Sequence, residues 1–465
     1  MKHPTAPAQA TWWHLLAIIA LSTIYEALFL QYSNGELFDE GWPLNAAMQL
    51  HAGRALYSEI FFVFPPGHLW PAWLAYALDP PGVELARAFY AAFNVALCVG
   101  LYFLGLRIMP ARFALWGALA VAVAAPHSHM GHLLFGYRYL VFSVLALLAF
   151  ARALETEDRR WIFVAGLWTG VALLFRLTPA FAVSCGVAAG LLAHRSSWST
   201  RGGYAIYFGG GALLVAAPAL LWLSQSAGLG ILWQEVVIRV MGLQSLQSLP
   251  VPSLAPPDLA DRQALHLWFV GLQYWGYSAL YAAYLLYFVA RAGRVRGNRT
   301  AGEDIALRPL LVAIVVWGAV FLLRTLGRSD DHHLNSALPP AVLLLAHCAS
   351  SLFARAWRAR STPAGTRRVS EIGALAAAFV AWLYIQGIDR NFDPLDRGLV
   401  PMRASRAAQS LKPTVEGIEL ERLLGVIRSR TQPGDTLLDL SASPLLYVLA
   451  DRQSVGGFDI FMPGT

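Results

Sequence analysis

The sequence predicts an all-α polytopic membrane protein with about eleven transmembrane helices, interfacial helices in its first outer loop and a small α/β soluble tail. Of its 465 residues, 57% are hydrophobic and only 14% are charged, and the mean hydropathy is +0.50. Soluble proteins are far more polar. Apolar runs of roughly 16 to 28 residues recur along almost the whole chain, and about 20 residues span a bilayer. A soluble enzyme, a collagen, a disordered chain and a disulfide scaffold are therefore excluded.

The apolar runs give the positions of the predicted transmembrane helices. The first run, 11–30, lacks the basic leader and cleavage site of a removed signal, so it predicts a retained helix. The run at 161–177 meets the run at 179–194 near a proline, and the two form either a hairpin or one broken helix. The other runs lie at 82–107, 111–126, 137–154, 203–224, 264–290, 307–324, 336–354 and 370–388.

Basic residues divide unequally between alternate connections of these helices. The set of connections that includes the amino terminus holds 18 of the 35 basic residues, the opposite set holds 8, and the segment after residue 387 holds 9. Because cytoplasmic loops are rich in Lys and Arg, the amino terminus is predicted to be cytoplasmic and the carboxyl tail extracytoplasmic, in the inner (plasma) membrane. This bias also accounts for the net charge of +7, so membrane lipids rather than nucleic acid are the expected partners.

Two domains are predicted. Residues 1–388 form the transmembrane domain, whose first outer loop, 31–81, is long and carries the active site, and residues 389–465 form a small extracytoplasmic α/β domain. In that tail, periodicity predicts helices at 414–431 and 444–450 and strands at 436–440 and 454–458, and its abrupt end leaves open whether it is truncated. Function is expected on the outer face, where the long loops lie.

The first outer loop contains two adjacent carboxylates, Asp39 and Glu40, within about ten residues of the first helix. Pro43 suits the first turn of a helix, and apolar residues from Trp42 to Leu56 fall on one helical face, which predicts a helix lying in the membrane interface. The positive end of that helix would favour ionised carboxylates. Position alone allows either simple helix capping at the surface or a catalytic pair.

Several motifs resemble the GT-C superfamily of membrane glycosyltransferases, in particular the bacterial branch related to protein O-mannosyltransferases and aminoarabinose transferases. They are the acidic segment Asp39 to Trp42, the helix end Leu50 to Tyr57, the Pro65-Pro66-Gly67 segment and the late motif Gly327 to His333. The resemblance covers residues 11 to about 80 and is mainly topological beyond them. It implies a catalytic base in the first loop and a polyprenyl-phosphate-linked sugar donor.

Transfer from such a donor needs a base for the acceptor hydroxyl and positive charge for the departing phosphate. We assign Asp39 as the base and Glu40 as its partner, with the reverse assignment open, and a single base attacking opposite the leaving group predicts inversion. Arginines at the outer ends of helices are the phosphate candidates, since guanidinium binds phosphate in a bidentate manner. They are Arg138, Arg176, Arg324 and Arg328, with Tyr57, Asp330 and His333 assigned to the same site.

Alternatives remain at each of these positions. An outer arginine can instead lie at the interface or pair with an acid, and Arg328 can pair with Asp330 or Asp331 to shape its loop. No cofactor is certain, and a divalent cation is left open. The acceptor is a glycan, a lipid or a protein. The other function classes are a secondary transporter, which should show repeated halves, and a polysaccharide polymerase or ligase that uses lipid-pyrophosphate substrates.

Overall fold

The protein is a bundle of long helices with a short tail unit packed on one end. In this computed structural model the described residues are 8–32, 40–124, 137–194, 196–239, 241–242, 249–258, 260–297, 309–327, 331–358, 400–401, 410–411, 415–441 and 443–456. Most of them, 80%, are helical. Most of the predicted apolar runs coincide with a helix, and the run at 370–388 lies outside the described residues.

The described helices are numbered in chain order. In the bundle they are α1 (Ala8–Tyr32), α2 (Gly41–His51), α3 (Trp70–Leu78), α4 (Val83–Leu106), α5 (Ala111–Ala124), α6 (Leu140–Thr156), α7 (Arg159–Phe175), α8 (Leu177–Ala193), α9 (Trp198–Ser226), α10 (Leu229–Trp233), α11 (Arg262–Gly297), α12 (Pro309–Leu323), α13 (Asp331–Ser336) and α14 (Leu338–Arg358). Short 3₁₀ turns lie at Pro66–His68, Tyr137–Tyr139 and Arg324–Leu326, and a π-helical turn at Gln234–Ile238 follows α10.

Four of the described helices are long and apolar enough to cross a membrane, namely α4, α9, α12 with its 3₁₀ turn, and α14. Other apolar helices are shorter, and α1 has 25 residues. A membrane protein is therefore confirmed, whereas the total of about eleven spans stays a prediction.

The break between α7 and α8 falls at one residue. Arg176 is extended, with φ −164° and ψ 138°, so two separate helices meet there rather than one continuous helix. Pro179 lies in the first turn of α8, where a missing backbone N–H costs nothing. The break lies three residues before the proline, which is therefore placed where the start of a helix tolerates it.

Close helix packing in the bundle depends on small residues. A Cβ atom on Gly166 of α7 would lie 2.1 Å from the carbonyl oxygen of Phe208 in α9, and one on Gly211 would lie 2.2 Å from that of Phe163. The two backbones therefore approach more closely than any side chain allows. This contact holds α9 against the bundle although most of its surface is exposed.

The tail contains the predicted helices and strands, but the strands are shorter. Helices α15 (Val415–Arg430) and α16 (Leu445–Ala450) agree with the sequence, and β3 (Thr436–Leu437) pairs in parallel with β4 (Gln453–Ser454). A further antiparallel pair joins β1 (Val400–Pro401) to β2 (Ser410–Leu411). With only two residues in each strand, this unit gains little from its sheets, and its core is continuous with the first loop.

The prediction of an amphipathic interfacial helix for α2 differs from the structure. All residues from Gly41 to Gln49 are buried, and the polar side chains of Asn45 and Gln49 are 0% exposed. One reason is that the tail packs on α2, with Leu445 of α16 directly against Gly41. Leu44 and Ala47 share one apolar cluster with residues of α16.

Candidate active site

Glu40 lies at the start of α2 and forms a buried ion pair. Arg87, near the start of α4, donates from Nε to Oε1 at 2.5 Å and from Nη2 to Oε2 at 2.6 Å. The side chains are 2% and 0% exposed. Both carboxylate oxygens thus accept hydrogen bonds from one guanidinium, the strong bidentate geometry. The Glu40 side chain does not cap the helix. Its bidentate pair with Arg87 instead attaches the start of α2 to α4.

Asp39, the predicted base, lies outside the described residues. Its assignment therefore stays a prediction. In the sequence it directly precedes Glu40. Both carboxylate oxygens of Glu40 already accept hydrogen bonds from Arg87, which makes Glu40 a poor proton acceptor.

Arg138 is buried within the bundle and pairs with an acid. Its Nη2 lies 3.0 Å from Oε2 of Glu26 in α1, and Asn94 Nδ2 donates to Oε1 of the same carboxylate at 2.7 Å. Glu26 is 2% and Arg138 3% exposed. The structure therefore favours the alternative in which this arginine pairs with an acid. Together with Asn94, the pair joins α1, α4 and the 3₁₀ turn before α6.

Arg176 has a different environment. Its Nη1 donates to the hydroxyl of Tyr139 at 2.8 Å, and its guanidinium lies over the ring of Phe64, 4.7 Å from the centroid. It is partly exposed, and none of the described residues supplies a carboxylate to it. An aromatic face orients a guanidinium without neutralising its charge. Among the predicted arginines that the structure describes, Arg176 best fits an anion-binding role.

The first loop and two arginines meet in one aromatic cluster. His68 packs against Phe64 with ring centroids 5.0 Å apart and against Tyr139 at 6.0 Å, and Tyr139 directly follows Arg138. Phe64 and His68 come from the first loop, whereas Tyr139 and Arg176 come from the bundle. Arg138 and Arg176 therefore lie at the end of the bundle that carries the loop with Glu40.

Arg324 lies at the same end of the bundle. Helix α8 runs antiparallel to α12, since Gly190 faces Pro309 and Gly186 faces Ala313. The start of α8 after Arg176 is consequently level with the end of α12 before Arg324. Arg324 is partly buried, with its guanidinium 5.9 Å from the ring centroid of Phe321.

The late motif is described only in part. Arg328 and Asp330 lie outside the described residues, and His333 is in α13 with a partly buried side chain. The carbonyl oxygen of Gly327 accepts a hydrogen bond at 2.8 Å from the backbone N–H of Leu249, which brings the segment between α10 and α11 to this motif. In the part of the chain that the structure describes, no three His, Cys, Asp or Glu side chains are grouped to hold a metal. Metal dependence thus stays open.

The contacts of Tyr57 stabilise the conformation of the first loop. It has a φ of +70°, is 6% exposed, and donates its hydroxyl proton to the carbonyl oxygen of Phe64 at 2.7 Å. Burial raises the pKa of the Tyr57 phenol above its ordinary value, so it stays protonated. The hydrogen bond shapes the segment that presents Phe64 to Arg176.

Sequence reasoning missed Arg87, Tyr139 and Phe64 as supports of the site. Each of them acts by contact with a residue that is distant in the chain, so no local pattern marks them. A local signal existed only for the pairing of Arg138, because Glu26 is an acid inside a predicted helix and such a charge needs a partner.

Comparison with known proteins agrees with this architecture. Residues 64–222, about a third of the chain, match the family model of dolichyl-phosphate-mannose-protein mannosyltransferase. The structure resembles ArnT from Cupriavidus metallidurans bound to undecaprenyl phosphate, with 14% identity, a TM-score of 0.58 and coverage of 96% of this chain and 86% of that one. No curated protein sequence matches significantly.

A second solved structure has a similar fold. It is the archaeal oligosaccharyltransferase AglB from Archaeoglobus fulgidus, in complex with an inhibitory peptide and a dolichol-phosphate. The identity is 12%, the TM-score is 0.56, and the match covers 97% of this chain and 65% of that one. The family-model match over a third of the chain and the shared fold agree with the predicted GT-C-like architecture of a membrane glycosyltransferase.

Proposed function

We propose that the protein transfers a sugar from a polyprenyl-phosphate-linked donor to an acceptor hydroxyl on the outer face of the membrane. The observation that carries this proposal is the contact of Arg176 with Phe64 of the first loop in one aromatic cluster, where none of the described residues presents a carboxylate to the guanidinium. The similar proteins hold undecaprenyl phosphate in one case and dolichol-phosphate in the other. A lipid phosphate at this end of the bundle would meet that guanidinium.

In the proposed reaction, Asp39 accepts the proton of the acceptor hydroxyl. The hydroxyl oxygen attacks the anomeric carbon opposite the phosphate, the bond from that carbon to the phosphate oxygen breaks, and the configuration inverts. Glu40 serves as the partner that orients the loop through Arg87. Such a base contributes roughly 10² to 10⁴-fold in rate.

The departing polyprenyl phosphate gains negative charge as the bond breaks. Arg176 is proposed to bind its oxygens, with Arg324, Arg328, Asp330 and His333 completing the polar end of the site. A preorganised donor of this kind stabilises the transition state without reorganising water. The sugar and the acceptor, whether glycan, lipid or protein, are not assigned.

The test is turnover of the purified protein with lipid-linked sugars extracted from its host membranes. Asp39→Asn should lose roughly 10² to 10⁴-fold in turnover while donor lipid still binds, because the amide cannot accept the proton. Asp79→Asn is the matched control, since this exposed acid ends α3 away from the cluster. Wild-type turnover in Asp39→Asn would remove Asp39 from the mechanism, and absence of any sugar transfer by the wild type would refute the proposal.

A further inference from the structure

The tail forms part of the first loop's core. Helix α16 has only six residues, yet each is at most 5% exposed. Its Leu445 and Leu449 join Leu44 of α2 and Val83 of α4 in one apolar cluster. An isolated helix of this length is unstable in water, so α16 exists because it packs on the loop.

The closest contact lies next to the acidic pair. A Cβ atom on Gly41 would be 2.1 Å from the backbone nitrogen of Leu445 and 2.6 Å from its Cα. Real Cβ atoms do not come this near, and backbone atoms cannot rotate away as a side chain can. Position 41 therefore needs glycine because the start of α16 presses directly on the start of α2.

A second contact fixes the other end of α2. Arg54 donates from Nη2 to the carbonyl oxygen of Ser454 at 2.9 Å and from Nη1 to that of Gly456 at 3.2 Å. The same Nη1 lies 3.0 Å from Oε1 of Gln49. One guanidinium thus joins the last turn of α2 to strand β4 of the tail, 400 residues later in the chain.

The tail segment is itself held firmly behind these contacts. Arg428 of α15 donates to the carbonyl oxygen of Leu449 at 2.5 Å, and Arg452 donates from Nη2 to that of Thr431 at 2.8 Å. The Tyr447 hydroxyl accepts the backbone N–H of Asp439 at 2.9 Å. A movement of α2 therefore has to move the whole unit.

We propose that residues 443–456 of the tail position the first loop. By packing α16 and β4 on α2, they hold the backbone at Glu40 and Gly41 in place for catalysis. Arg87 fixes this point through Glu40, and the tail fixes it through Gly41. That the acidic pair takes part in catalysis rests on the proposed function. A misplacement of about 1 Å costs on the order of 10²-fold in rate, so a support of this kind acts on turnover.

The test compares Gly41→Ala with Gly425→Ala in the full-length protein in lipid nanodiscs. A Cβ atom on Gly425 meets nothing within 4 Å, so this variant is a matched control in the tail. Hydrogen exchange is followed in peptides covering 41–51 and 445–450. Gly41→Ala should speed exchange in both peptides together, and Gly425→Ala should leave the peptide of α2 unchanged. Unchanged protection of 41–51 in Gly41→Ala would overturn the proposal.

Arg54 supplies a milder variant if Gly41→Ala does not fold. Arg54→Ala should lower kcat, measured per molecule able to bind donor lipid, by about 10²-fold with little change in donor KM. Arg54→Lys should recover part of the lost kcat, since an ammonium group reaches only some of the three oxygens that accept hydrogen bonds from Arg54. Arg430→Ala, an exposed arginine of α15, is the control.

The two proposals fail differently. Loss of the donor-binding fraction without a change in kcat would mean that the tail only stabilises the fold, which overturns the positioning role. Absence of sugar transfer by the wild type would refute the proposed function, while the exchange data would still decide whether the tail holds α2.

Discussion

The buried pair of Arg87 and Glu40 allows a quantitative test of how the first loop is anchored. The perturbation is Arg87→Met, which keeps much of the side-chain length but removes the guanidinium. Both hydrogen bonds, at 2.5 and 2.6 Å, are then lost, and the Glu40 carboxylate remains buried without its cation. Removing one partner of a buried pair costs about 3–5 kcal/mol, so the free energy of unfolding should fall by that amount.

An exposed pair provides the matched control. Arg107 and Glu155 form an ion pair whose side chains are 33% and 41% exposed. Glu155→Gln should therefore cost only about 0.2–1 kcal/mol, because water replaces the lost contact. The assay is equilibrium unfolding in mixed micelles followed by tryptophan fluorescence. If Arg87→Met costs no more than Glu155→Gln, the pair does not anchor the loop and the reasoning fails.

The double variant Arg87→Met/Glu40→Leu separates anchoring from chemistry. Apolar replacement of a whole buried pair is often neutral or stabilising, so stability should return to within about 1 kcal/mol of wild type. If Glu40 only orients the loop, sugar transfer should return with stability. A stable double variant without turnover would instead assign Glu40 a direct part in the reaction.

Three further predictions concern the phosphate site and the topology. Arg176→Ala should cost about 2.7–4 kcal/mol in transition-state stabilisation, as removal of one preorganised donor does, and Arg176→Lys should recover only part in kcat/KM measurements; full activity of the Ala variant would exclude Arg176. Tyr139→Phe removes one hydrogen bond to a charged group, so kcat/KM should fall by a factor equivalent to about 1.5–3 kcal/mol at most. A larger loss than in Arg176→Ala would contradict the assignment of Arg176 as the phosphate ligand and Tyr139 as its support. Cysteine labelling in intact cells should find position 300 inside and positions 255 and 440 outside, and labelling of position 440 only after permeabilisation would reject this orientation.

The helices of the bundle could be predicted from the sequence because hydropathy is a local property. The run at 82–107 corresponds to α4 at Val83–Leu106, and the run at 111–126 to α5 at Ala111–Ala124. In the tail, a helical period at 414–431 corresponds to Val415–Arg430. Such a stretch has to become helical in a membrane or beside a core, since its backbone groups find no other partners.

Burial of α2 could not be predicted, although its sequence was informative. Its apolar face is visible in the periodicity, but Asn45 and Gln49 on the other face suggest water. The tail, which packs on α2 and is joined to Gln49 through Arg54, comes some 400 residues later. A pattern within eleven residues contains no information about that contact.

By itself, the sequence predicted a membrane protein, the positions of most helices, the two helices of the tail and a set of candidate arginines and acids. Only the tertiary structure decided which of these charges are paired: Arg87 with Glu40 across 47 residues, and Arg138 with Glu26 across 112, while Arg176 lies on an aromatic ring. The physical reason is that burial in a membrane depends on the composition of one segment, whereas the charge of a side chain is neutralised by whichever group the fold brings within about 4 Å of it.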